Sequence, residues 1–104
     1  MSKPEDNSNV YEQLGFPDAG EMLVKAQLVV KIAEILKQRG WNQQKAAEML
    51  GLTQPKLSKM LRGQFRGISE IKMMDCLVRL GCAVKIVVGP EVESSRERIE
   101  VVAA

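Results

Sequence analysis

The sequence predicts an all-α fold with one short C-terminal strand, built from five helices with the strand paired across a homodimer. Three observations carry this. Apolar residues recur at spacings of three and four through most of residues 18–80, and capping residues and glycines punctuate that stretch. The strongest β-branched run bounded by turn residues is AVKIVV at 83–88. A chain of 104 residues with 45% hydrophobic content suffices for one small core, filled by aliphatics and Met because aromatics make up only 4%. A core of this size is expected to lean on dimerisation.

The first nine residues are polar and contain Pro4, and they are expected to be disordered. Val10 to Phe16 is read as a short helical turn before Pro17. Asp18 and Glu21 form a capping-box pair that opens a long helix running to about Arg39, with Gly40 ending it. Its stripe is Met22, Ala26, Val29, Ala33 and Leu36, widened by Leu28, Ile32 and Ile35. Leu23 and Val30 make it apolar nearly all round, which raises the prospect of a partner contact beside the plainer reading as a broad core face.

Residues 43–62, QQKAAEMLGLTQPKLSKMLR, read as two short helices joined by a three-residue turn. Asn42 caps the first, which runs from Gln43 to Leu50 and turns Ala46, Ala47 and Leu50 inward, with Lys45 and Glu48 facing water. Gly51 stands where the chain must take positive φ, Leu52 plugs the corner, and Thr53 caps the second helix. Pro55 is tolerated near a helix start because its missing N–H has no intrahelical partner there. Leu57, Met60 and Leu61 point inward, Leu52 staples against Leu57, and Gly63 closes the end. Trp41, just before the Asn42 cap, is read as core. Phe65 anchors the following loop inward or else lies at the surface. Ser69 begins a last helix through Met73, Met74, Leu77 and Val78 to Leu80, stopping at Gly81.

The outward face of the second short helix shows Gln54, Lys56, Ser58 and Lys59, with Arg62 at its end. Gln pairs bidentately with adenine, Lys reaches guanine or phosphate, and Ser serves either. Together with Gln43, Gln44, Thr53, Pro55 and the backbone-facing Arg66, these are the expected DNA-contacting residues. Charge supports this: from Asn42 to Arg66 stand Lys45, Lys56, Lys59, Arg62 and Arg66 against Glu48, whereas the first 21 residues carry Glu5, Asp6, Glu12, Asp18 and Glu21 against Lys3. The net charge of +2 is too small to argue for nucleic acid by itself, and a solvated helical face produces similar runs.

The segment resembles the phage-repressor-like (XRE-type) helix-turn-helix family. That family's pattern of small, apolar and glycine positions is matched by Ala46, Ala47, Leu50, Gly51, Leu52, Leu57 and Met60. Over about residues 18–88 the chain also looks like antitoxins of the HigA (host inhibition of growth) type. This resemblance implies a five-helix repressor-like domain, a homodimer on a double-stranded DNA operator, and neutralisation of a RelE/HigB-like mRNA-cleaving toxin. A stand-alone repressor is the alternative. The expected organisation is a leader at 1–17, the DNA-binding domain with its dimerisation strand at 18–88, and a C-terminal tail at 89–104.

Within that strand, Val84, Lys85, Ile86, Val87 and Val88 are the expected dimerisation residues, because a lone strand leaves its backbone groups unpaired and a two-fold copy satisfies them. Pairing with residues 97–102 or with the edge of another protein is the other option. Cys76 and Cys82 form no CxxC and the chain has no histidine, so buried free thiols are expected and a metal is not. No cofactor is called for, and no phosphate-cradling glycine loop or activated nucleophile argues for an enzyme. No signal-like leader or run of about twenty apolar residues occurs, so no membrane association is expected. The expected location is the bacterial cytoplasm, associated with the nucleoid.

Overall fold

Spacings of three and four place Met22, Lys25, Val29, Ile32 and Leu36 on one face of a long helix, α1 (Ala19–Arg39), and all five are buried. The computed structural model describes residues 19–91 and 99–102. Three further helices follow: α2 (Gln43–Leu50), α3 (Gln54–Leu61) and α4 (Glu70–Arg79). The expected Val10–Phe16 turn and the Asp18 cap lie outside the described residues. α1 packs chiefly along α4, α2 pairs with α3, and smaller contacts join α2 to α4 and α1 to α3.

The helix starts are set by short polar side chains, as the sequence indicates. Asn42 Oδ1 accepts from Lys45 N at 2.8 Å, Thr53 Oγ1 from Lys56 N at 3.2 Å, and Ser69 Oγ from Lys72 N at 3.0 Å. Gly63, at φ +88°, ends α3 in a Schellman arrangement, with Gly63 N donating to Met60 O at 3.1 Å and Gln64 N to Lys59 O at 2.8 Å. Ile32, Leu50, Leu57, Met60, Met73 and Cys76 are sealed from water at the centre, so every helix contributes to one core. Trp41 packs half-buried at its margin, with the Arg39 guanidinium 5.2 Å and the Lys45 ammonium 6.0 Å from its ring centroid. Arg39 Nη2 also donates to Leu80 O at 2.7 Å, tying the end of α1 to the end of α4.

The fold class expected from the sequence is corrected here: among the described residues there are four helices and no strand, not five helices and a strand. Residues 83–88 are exposed throughout, with Ile86 at 76%, Val87 at 87% and Val88 at 91%. Residues 99–102, the described part of the internal partner considered for them, form no strand either, and Val101 lies against the helical core. β-Branched composition records that a segment suits extended backbone, whereas a strand also requires a ladder to join. None of the helices among the described residues is long and apolar enough to cross a membrane.

Candidate nucleic-acid interface

Ala46 and Ala47 are 2% and 3% exposed, which lets α2 approach its neighbours closely, while Leu57 and Met60 of α3 are fully buried beneath them. The turn between the two helices is held by Leu52 N donating to Ala47 O at 3.0 Å, with Gly51 at φ +70°. Burying one face of α3 leaves Gln54, Pro55, Lys56 and Lys59 exposed on the other, and Arg62 exposed just past its end. Ser58, expected on the same outward face, is half-buried. Gln43 and Gln44 are exposed at the start of α2, and Thr53 is exposed at the start of α3.

An open groove of about 720 Å³ runs between α3 and the loop that follows it. Lys56 and Lys59 face Arg66 across it, Thr53 and Pro55 form part of its wall, and Met22, Phe65 and Ile68 contribute apolar lining. Phe65 is 3% exposed, so the inward of the two readings holds. The groove therefore gathers five of the expected contact residues, whereas Gln43, Gln44, Gln54, Ser58 and Arg62 lie outside it. Gln64 also lines it. Lys59 and Arg66 beside this apolar lining suit the sugar-phosphate backbone, with its charged oxygens and apolar sugar faces, while Lys56 on the first turn of α3 can also reach a base edge.

Periodicity did not reveal what braces this surface. Lys25 is 2% exposed, its ammonium 3.0 Å from Glu21 Oε2 and donating to Arg66 O at 2.8 Å. On the other side of the pair, Lys72 Nζ donates to Leu50 O at 3.2 Å and meets Asp75 Oδ2 at 3.3 Å, and Arg79 Nε donates to that same oxygen at 2.8 Å. The hydrogen bonds from Arg79 and then Lys72 hold the Asp75 carboxyl below its ordinary range. The one available signal for Lys25 was a charged residue in phase with Met22, Val29 and Ile32, where the helical period calls for an apolar one.

Comparison with known proteins agrees with this geometry. A family profile described as "Helix-turn-helix domain" matches residues 10–89. A solved structure carrying the provisional description "XRE Family Transcriptional Regulator" is 34% identical, with a TM-score of 0.76 over 85% of this chain and 100% of that one. No curated protein matches. Regulators of this kind are typically not enzymes. With the match spanning most of the sequence and the two short helices set around Gly51, the chain belongs to the XRE-type helix-turn-helix family of DNA-binding transcriptional regulators.

Proposed function

We propose that the protein is a homodimeric repressor that reads a two-fold operator through α3 and serves as the antitoxin of a type II toxin–antitoxin pair, repressing its own operon. The observation that carries the DNA-reading part is the division of α3 into a buried Leu57/Met60 face and an exposed Gln54/Lys56/Lys59 face beside the basic groove. Gln54, Lys56 and Ser58 read base edges; Lys59, Arg62 and Arg66 hold phosphates; Gln43, Gln44, Thr53 and Pro55 complete the contact surface. The exposed Val84, Ile86, Val87 and Val88, with Lys85 among them, support a dimer contact, since apolar surface left in water favours association. A dimer places two recognition helices about 34 Å apart, one turn of DNA. The cytoplasm is where such a regulator meets its operator.

The antitoxin role rests on the resemblance of residues 18–88 to HigA-type antitoxins and on apolar surface beyond the helix-turn-helix, such as Val30 at 57% and Ile71 at 72% exposure. The partner is a RelE/HigB-like mRNA-cleaving toxin. Co-expression with the neighbouring small gene, using the full chain and a version lacking residues 1–20, tests this by growth and complex formation. Relief of toxicity by either version supports the antitoxin reading. Failure of both to bind or protect leaves a stand-alone repressor. Equal affinity of the intact protein for operator and random DNA overturns the repressor reading itself.

A further inference from the structure

We infer that Lys25 is a positioning residue for DNA binding: from inside the core it holds the backbone of Arg66, and so the guanidinium that residue offers to a phosphate. The inference rests on the DNA-contact reading of Arg66 given above. A lysine ammonium buried without partners is costly, and an apolar side chain at this place in the α1 stripe would pack without that cost. Lys25 is instead satisfied twice, by Glu21 of its own helix and by the Arg66 carbonyl forty-one residues away. The Glu21 contact is local and would form on an isolated helix. The contact to Arg66 is not, and it joins α1 to the loop that carries one wall of the groove.

The loop is held from several sides. Phe65 and Ile68 are buried at 3% and 6%, and Ile68 N donates to Phe65 O at 3.0 Å, closing a turn with Arg66 and Gly67 at its exposed middle. Without Lys25, the Arg66 carbonyl loses the donor that reaches it from α1, and this peptide unit is held less firmly while its flanking apolar anchors stay in place. Lys56 and Lys59 stand on a regular helix and need no such support. The effect therefore falls on one phosphate contact and spares base reading by α3.

Salt dependence separates this role from a general loss of stability. Each phosphate contact contributes nearly one unit to the slope of log K against log salt. Lys25→Met keeps the bulk of the side chain and removes the donor. In a folded dimer it should lower the slope by about one unit per subunit, as Arg66→Ala does, with preference among operator variants unchanged. Lys25→Met added to Arg66→Ala should produce no further change. A folded Lys25→Met protein with the wild-type slope overturns the proposal, as does a further drop in the double variant. Lys25→Gln, whose amide ends short of the lysine nitrogen, supplies the same reading at a temperature where it is folded if the Met variant is not. If Arg66→Ala itself leaves the slope unchanged, the fault lies with the contact assigned to Arg66 and not with its support.

Discussion

Arg79 closes the corner that Gly51 makes: a Cβ built on Gly51 would lie 3.0 Å from Arg79 Nη1 and 3.1 Å from its Cζ. The last helix is thereby fitted to the turn of the DNA-binding pair, and Lys72 reinforces the fit from the same helix by bonding Leu50 O.

Gly51→Ala should destabilise the fold by about 1–2 kcal/mol, because φ is +70° there and a side chain meets Arg79 as well. Arg79→Ala in the same chain should recover only the steric part, since the backbone strain stays. Urea denaturation of the single and double variants separates the two, and a Gly51→Ala midpoint equal to wild type would refute both.

Asp75 makes a pH prediction with a definite sign. Its carboxyl is held below the ordinary 3.8 by Arg79 and then Lys72, so the unfolded chain binds this proton more readily than the folded one. The stabilisation is present above the ordinary value and is lost as pH falls through the lowered folded value. Asp75→Asn should lower Tm at neutral pH by a small amount, since the group is exposed, and should flatten the acid limb of Tm against pH. An acid limb as steep in Asp75→Asn as in wild type would show that other carboxylates account for it.

The features legible in the sequence are those governed by neighbours along the chain. Asn42, Thr53 and Ser69 announced their helices because a cap acts over three residues, and Gly51 and Gly63 marked ends because positive φ is a local demand. Periodicity found the inward Leu57 and Met60, and hence the outward polar face of α3. It missed Lys25 because a search for apolar stripes passes over a charged residue whose partner lies forty-one positions away. Arg79 against Gly51 was out of reach for the same reason. At 83–88, composition described the backbone preference of the segment and not the partner on which a strand depends.

Cys76 and Cys82 should react at very different rates. Cys76 is fully buried, and burial pushes its thiol up from the ordinary range, whereas Cys82 is half-buried. A disulfide reagent at neutral pH should modify Cys82 first and reach Cys76 only at the rate at which the core opens. Added urea below the unfolding transition should accelerate the slow phase alone. Two equal rates in the native protein would contradict the packing around Met73 and Cys76.

The two sides of the proposed interface should fail differently. Gln54 and Lys56 are exposed on the first turn of α3, the part of a recognition helix that meets base edges, whereas Arg62 stands past the C-terminal end of α3. Gln54→Ala or Lys56→Ala should cost roughly 1–3 kcal/mol on the operator and relax preference at one position in each half-site. Arg62→Ala should instead weaken operator and random DNA alike and reduce the salt slope by about one unit per subunit. Titrating a panel of single-base operator variants at several salt concentrations measures both quantities together. Sequence preference lost on Arg62→Ala and kept on Gln54→Ala and Lys56→Ala would reverse the assignment and move base reading to the far end of the helix. The contrast is informative because every one of these side chains is exposed: removing it leaves the Leu57 and Met60 packing intact, so a change in affinity reports on DNA and not on the fold.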